Sequence, residues 1–154
     1  MTPQTETQEE AVVREVTIAA TPETVFEFFT DPAKMTQWKG ERATLDPTPG
    51  GVYRVELNEK VIAAGAYVEI DPPKRIVFTF GWDDPNNAVQ PGSSTVEITL
   101  EPEGDGTRVR LVHTGLPEAE RESHGQGWDH FMPRLAIAAA GGDPGADPMG
   151  TLAE

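Results

Sequence analysis

The sequence contains no cysteine. This excludes disulfide bonds, thiolate metal sites and cysteine nucleophiles together. A chain of 154 residues needs no such cross-links, because a domain of this size buries roughly 70% of the surface that its unfolded form exposes. The sequence therefore predicts one domain, whose chemistry must come from other side chains.

Basic residues are scarce, with 12 Lys and Arg against 26 Asp and Glu and a formal net charge of −14. A nucleic-acid-binding protein needs a basic face to replace the counterions of the phosphates. We therefore expect no nucleic-acid partner. The acidic excess also repels an anionic membrane surface and favours solubility.

Long apolar runs are missing as well. No run approaches the roughly 18 residues that a membrane span needs. The first residues, MTPQTETQEE, have neither the basic nor the apolar segment of a signal peptide. We therefore expect a cytoplasmic protein, monomeric or homodimeric, without a membrane span.

Both ends of the chain have the composition of disordered segments. Residues 1–11 are polar and acidic, and residues 141–154 are rich in Gly and Pro. The sequence therefore predicts disorder over 1–11 and 141–154 and one folded domain over 12–140.

Seven segments between these ends alternate apolar and polar residues with the period of a strand. The clearest is the segment of residues 75–82, where Ile76, Phe78, Phe80 and Trp82 share one face. The others are residues 12–20, 41–46, 52–58, 61–70, 95–101 and 107–114. Mostly short connections predict antiparallel neighbours in a sheet with one polar and one apolar face. A longer loop, DDPNNAVQPGSS, follows residue 82. Its length and its position at the end of a strand are those of a lid over a binding site.

Three helices are predicted. Thr21-Pro22 and Asp31-Pro32 each supply a capping side chain and a proline at the first helical position, so two short helices follow the first strand. The third helix lies within residues 117–140. We expect its regular part to start near Gly127 and to be short, because Gly125 and Gly127 weaken the preceding turns and Pro133 interrupts the helix.

Several segments, in this order, resemble one known family. They are ATPETVF (20–26), TDP (30–32) followed by Trp38, PGGVYR (49–54), EIDPPKRIVFTF (69–80), STVEITL (94–100), LVHTGL (111–116) and Gly127-Trp128. The chain resembles the activator of Hsp90 ATPase homologue-like (AHSA1-like) family of the START/Bet v 1-type (SRPBCC) superfamily. The resemblance implies an α+β helix-grip fold, in which a curved seven-stranded antiparallel sheet surrounds a long C-terminal helix and leaves a cavity.

Relatives of this superfamily include lipid carriers, polyketide cyclases/aromatases and a co-chaperone domain, so the fold does not determine the activity. The co-chaperone carries a separate N-terminal domain that engages the chaperone. Residues 1–11 are too few to be that domain, so we do not expect a chaperone of the Hsp90 type as partner.

The favoured hypothesis is that the cavity binds a small apolar or aromatic molecule, because binding pockets are mostly apolar with a few orienting polar groups. Trp128, Phe131, Met132 and Leu135 form an amphipathic stripe on the last helix. Together with the inward strand residues, the predicted ligand-binding set is Phe26, Phe29, Trp38, Tyr53, Phe78, Phe80, Trp82, His113, Trp128, Phe131, Met132 and Leu135.

Alternation places His113 on the inward face beside Val109 and Leu111. There it can bond a ligand carbonyl or act as a general base, or be a core histidine bonded to a backbone carbonyl. As its partners across the cavity we expect Glu69 or Tyr67.

Two other functions stay open. One is a cyclase/aromatase-like or hydrolase enzyme that uses His113 with Tyr53 or Tyr67, although no catalytic constellation is evident. The other is an interaction module of the co-chaperone type, which predicts an exposed apolar patch near Trp38 or the loop after Trp82.

The remaining polar residues predict no metal or cofactor. His124 and His130 are six residues apart and do not share a helix face as metal ligands. Ser123 and His124 are merely adjacent and lack a third partner, so they do not predict a nucleophile and its base.

Overall fold

A computed structural model describes residues 11–145 of the chain. The disorder that we predict for residues 1–11 and 141–154 concerns mainly residues outside this range, and it stays a prediction. Within the range, seven strands and three helices follow the predicted order.

The elements are β1 (Val12–Ile18), α1 (Pro22–Glu27), α2 (Pro32–Met35), β2 (Arg42–Leu45), β3 (Val52–Glu56), β4 (Ile62–Asp71), β5 (Arg75–Trp82), β6 (Ser94–Glu103), β7 (Gly106–Thr114) and α3 (Glu118–Ala139). The strands form one antiparallel sheet in the order β1-β7-β6-β5-β4-β3-β2. Only the first strand joins the sheet out of sequence, by pairing with the last. This confirms the predicted α+β helix-grip fold.

The two short helices begin at the predicted caps. The Thr21 hydroxyl accepts the Thr24 amide at 3.3 Å, and a carboxylate oxygen of Asp31 accepts the Ala33 amide at 2.9 Å. Each bond satisfies a backbone donor that the first helical turn leaves free. After α2 the indole of Trp38 donates to the Phe28 carbonyl at 3.0 Å, which fixes the segment that follows.

A β-bulge interrupts the alternation of β4. Tyr67 pairs with Phe78 and Glu69 with Val77, so β4 advances two residues while β5 advances one. Val68 is the extra residue and is half exposed. Because a bulge bends its strand and increases the local twist, it explains why residues 61–70 show the least regular pattern in the sequence.

The prediction that α3 starts near Gly127 is wrong, since the helix is continuous over 22 residues from Glu118. Gly125 is buried against β1, where an added Cβ would lie 2.6 Å from an Arg14 guanidinium nitrogen. Arg14 also pairs with Asp129 of α3 at 2.6 Å. This close packing offsets the helix-propensity cost of about 1 kcal/mol per glycine.

The core lies between the apolar face of the sheet and the three helices. It contains residues from every strand except β2 and from all three helices. Among the described residues, no helix is long and apolar enough to cross a membrane.

Candidate functional site

A cavity of about 300 Å³ lies between the end of β5 and the first half of α3. β5 contributes two aromatic rings, α3 contributes two more, and the segment after α2 and the β5–β6 loop close the sides. The lining residues are Lys39, Leu57, Phe80, Trp82, Asn87, Glu120, Ser123, His124, Gly127, Trp128 and Phe131.

Four of the twelve predicted ligand-binding residues line this cavity: Phe80, Trp82, Trp128 and Phe131. Their rings are close neighbours, with the Phe80 centroid 5.3 Å from that of Trp82 and 6.1 Å from that of Trp128. The structure thus brings the apolar end of β5 and the apolar stripe of α3 together as the sequence predicts. Their role in binding stays a prediction.

The other eight predicted residues are buried but do not line this cavity. Tyr53 stacks on Phe78 at 4.1 Å between ring centroids, and Tyr67 meets both rings edge-on. Such close ring packing fills the space behind the cavity. The eight are Phe26, Phe29, Trp38, Tyr53, Phe78, His113, Met132 and Leu135.

His113 is fully buried and both of its ring nitrogens are bonded to protein. The Trp128 indole donates to Nδ1 at 3.1 Å, and Nε2 lies 2.9 Å from the Ser94 hydroxyl. An indole N–H can only donate, so the neutral ring carries its proton on Nε2 and donates it to Ser94. Ser94 in turn donates to the Phe80 carbonyl at 2.7 Å. Each donor in this hydrogen-bond network, from Trp128 through His113 and Ser94, therefore has an acceptor.

This environment keeps His113 neutral. Burial is the main cause that lowers the pKa of His113 to about 3, followed by the electrostatic interaction with a second proton at His124 and with Lys39. Its acceptor nitrogen is occupied, so His113 is not placed to act as a general base. The expected partners Glu69 and Tyr67 are wrong: Glu69 bonds Arg75, and the Tyr67 hydroxyl donates to the Phe29 carbonyl at 2.9 Å.

His124 on α3 repeats this pattern with the opposite tautomer. The Trp82 indole donates to its Nε2 at 2.9 Å, so Nδ1 carries the proton and donates to the Glu120 carbonyl at 2.8 Å. Burial is the main cause that lowers the pKa of His124. The Ser123 hydroxyl lies 3.3 Å from Nδ1, but a nitrogen that donates elsewhere cannot accept a proton from it.

Lys39 is the lining residue with the most unusual environment. It is only 2% exposed, and its ammonium lies 4.4 Å from the ring centroid of Trp128, 5.0 Å from Phe80 and 5.4 Å from Phe131. Its Nζ donates to the Tyr53 hydroxyl at a long 3.5 Å. Burial lowers the pKa of Lys39 to about 7.

The helical period of the buried residues could have predicted that Lys39 is buried, although the predicted site does not include it. Trp38 and Lys39 lie three and four residues after Met35. The Lys39 amide donates to the Met35 carbonyl, as in a helical turn. The buried face of α2 therefore continues through Trp38 to Lys39. The same holds on α3, where one step of four residues back from Trp128 reaches His124 and a second reaches Glu120.

The loop after β5 folds back over its own strand. Val89 is buried and its carbonyl accepts the Trp82 amide at 2.8 Å. Asn87 of this loop lines the cavity. The loop therefore forms one wall of the cavity, and its role as a lid stays a prediction.

Among residues 11–145, no cluster of three or more His, Asp or Glu side chains is arranged to hold a metal ion. The polar groups of the cavity are one amine, one carboxylate, an amide, a hydroxyl and an imidazole. This set can bind and orient a small molecule.

Comparison with known proteins gives the family. The family described as activator of Hsp90 ATPase homolog 1-like protein matches residues 19–140. An AHSA1-like protein from Rhizobium etli has a similar structure, with a TM-score of 0.71 and 46% identity over 90% of this chain and 86% of that one. Among curated proteins, no match to the chain is found.

Two further structures are similar. DynU16, a protein of the dynemicin biosynthetic locus, has a TM-score of 0.75 and 26% identity over 88% of this chain, which spans 49% of the length of DynU16. The Aha1 dimer from Colwellia psychrerythraea has a TM-score of 0.73 and 18% identity over 86% of this chain and 97% of that one, and shows the shared fold only. By the match over residues 19–140, the chain belongs to the activator of Hsp90 ATPase homolog 1-like family.

Proposed function

We propose that the protein binds a small aromatic molecule in the cavity between β5 and α3. The cavity itself is the observation that carries this proposal. It has about 300 Å³ and is lined by Phe80, Trp82, Trp128 and Phe131. This volume and this mixture of rings with a few polar groups match the lower end of small-molecule sites.

The similarity to DynU16, from the dynemicin biosynthetic locus, also agrees with a small-molecule ligand. The alternative enzyme, which needs His113 as a base, has less support. His113 lies outside the cavity lining and both of its nitrogens are bonded.

The interaction module also has less support. It predicts an exposed apolar patch near Trp38 or the loop after Trp82. Trp38 is buried, and the large hydrophobic side chains exposed among residues 11–145 are Val52, Val68 and Ile137. The monomer or homodimer expected from the sequence remains our proposal for the assembly.

A cavity-filling variant tests binding. A Cβ added at Gly127 would meet no atom within 4 Å, and Gly127 lines the cavity. We therefore expect Gly127→Leu to occupy the cavity and to weaken the binding of 1-naphthalenemethanol, a neutral two-ring probe, by at least tenfold in calorimetric titration. Gln126→Leu introduces the same leucine side chain at the neighbouring, exposed position and serves as the matched control.

The proposal predicts that the wild-type protein and Gln126→Leu bind the probe alike. The proposal is contradicted if the wild-type protein binds neither this probe nor other two- and three-ring aromatics, neutral or anionic, or if Gly127→Leu binds as the wild-type protein does. Circular dichroism spectra establish that both variants are folded.

A further inference from the structure

The Lys39 ammonium is buried without a matching negative charge. Burying a charge is costly unless it is paired, and among the described residues no carboxylate lies within ion-pair distance of this nitrogen. The Tyr53 hydroxyl, at 3.5 Å, is its hydrogen-bond partner. An ammonium group has three donors, so this partner leaves donor capacity unused.

The position of Lys39 directs that capacity to the cavity. Lys39 lines the cavity, and Trp128, Phe80 and Phe131 surround its ammonium at 4.4 to 5.4 Å. The ring faces attract the cation but accept no conventional hydrogen bond. A ligand that lies against these rings brings its own polar group next to Nζ.

We propose that Lys39 anchors the ligand and that the ligand is an aromatic molecule with an anionic oxygen, such as a carboxylate or phenolate. This inference rests on the proposed function, since it concerns the same cavity. The oxygen accepts hydrogen bonds from the ammonium and supplies the missing countercharge. In a site shielded from water, such a pair is stronger than at the surface.

Lys39 supplies the positive charge of the cavity, because the other titratable groups around it are neutral or acidic. His113 and His124 are neutral in their bonded tautomers, and burial raises the pKa of Tyr53 well above its usual range. Glu120 is the acidic lining residue, and its carboxylate lies 3.9 Å from Nδ1 of His124, beside that histidine.

Two probes of the same ring size separate this inference from simple apolar binding. 1-Naphthoate carries the anionic oxygen and 1-naphthalenemethanol does not. At pH 6 we expect the wild-type protein to bind naphthoate at least tenfold more tightly, measured by calorimetric titration. In Lys39→Met this ratio of affinities should fall to about one.

Lys34→Met is the matched control. It removes one positive charge from the exposed surface of α2 without touching the cavity, so the ratio should stay at its wild-type value. Equal affinities of the wild-type protein for the two probes, or an unchanged ratio in Lys39→Met, would overturn the inference while the proposed function stands. If neither probe binds the wild-type protein, the proposed function fails and the inference falls with it.

The wild-type protein alone provides a second readout that does not depend on the folding of a variant. Naphthoate is ionised at pH 6 and at pH 9, whereas Lys39 loses its proton in this interval. The preference for naphthoate should therefore fall toward one at pH 9. A preference that is the same at both pH values would contradict the role of Lys39.

Discussion

At the residue scale, two tryptophan–histidine pairs and one lysine define the chemistry of the cavity. Each indole N–H occupies the acceptor nitrogen of a histidine, Trp128 on His113 and Trp82 on His124. These bonds occupy the acceptor nitrogens of both histidines, and Lys39 is the cationic residue of the cavity lining whose donors Tyr53 does not fully use. The cavity is therefore suited to binding more than to proton transfer.

The Ser94–His113 bond predicts a stability effect. Ser94→Ala removes the acceptor of Nε2–H and the donor to the Phe80 carbonyl, so buried polar atoms lose their partners. Such a loss costs about 1–3 kcal/mol. Urea denaturation should show this decrease for Ser94→Ala, while Ser93→Ala at the adjacent exposed position should stay within about 0.5 kcal/mol of the wild-type protein.

If Ser94→Ala were as stable as Ser93→Ala, the bonded chain through His113 would not exist as described. The sequence could place His113 on the inward face by its period of two. It could not identify Ser94 and Trp128 as partners, because they lie 19 and 15 residues away and meet His113 only through strand register and helix packing.

Lys39 predicts a dependence of stability on pH. Its pKa is about 7 in the folded protein and about 10.4 in an unfolded chain, so the unfolded state binds more protons between these values. Stability linked to Lys39 therefore rises as pH increases from 7 to 10. Below pH 7 both states are protonated, and the burial penalty, on the order of 5 kcal/mol, is fully present.

Lys39→Met removes this linkage. We expect the variant to be more stable than the wild-type protein at pH 7 and the difference to shrink by roughly 1 kcal/mol per pH unit toward pH 9.5. Urea denaturation at pH 7, 8 and 9.5 measures it. A stability difference that does not change with pH would show that the buried amine is not the group that titrates.

At the element scale, local patterns predict the strands and caps well, and long-range packing explains the errors. The bounds of β5 and the starts of both short helices follow from alternation and capping residues. The start of α3 does not, because the packing of Gly125 on β1 is invisible in a local pattern. Placing the helix start too late also hid Glu120, Ser123 and His124 from the predicted site.

The β5–β6 loop packs on β5 at Gly81, and this contact predicts an effect on stability. A Cβ on Gly81 would lie 2.0 Å from the Gln90 carbonyl oxygen, so the loop backbone rests directly on this glycine. Gly81→Ala forces strand and loop apart, and we expect a loss of about 1–3 kcal/mol in the free energy of unfolding. Gly127→Ala is the control, because its Cβ meets no atom and alanine favours the helix.

Thermal or urea unfolding of the two variants checks this contrast. Equal stability of Gly81→Ala and Gly127→Ala would mean that the loop does not pack on β5. The contrast matters for the site, because the same loop carries Asn87 to the wall of the cavity.

At the scale of the whole molecule, the fold leaves space where sheet, helix and loop meet, and this space is the basis of the proposed function. The sequence predicts that β5 and α3 face each other. It does not predict that the space lies at the Phe80–Trp82 end, since Tyr53 and Phe78 stack to fill the region behind it. The volume of the cavity depends on how the side chains fit together in three dimensions. A local sequence pattern does not specify that fit.

The three tryptophans report directly on whether a ligand enters this space. Trp82 and Trp128 line the cavity, whereas Trp38 does not: its indole N–H is bonded to the Phe28 carbonyl, and its ring meets that of the lining residue Phe131 edge-on with the centroids 6.4 Å apart. On titration with 1-naphthalenemethanol, the indole N–H signals of Trp82 and Trp128 in ¹H–¹⁵N spectra should shift with one shared dissociation constant while that of Trp38 shifts much less. Three unchanged signals at saturating probe, or a shift of Trp38 alone, would contradict the account.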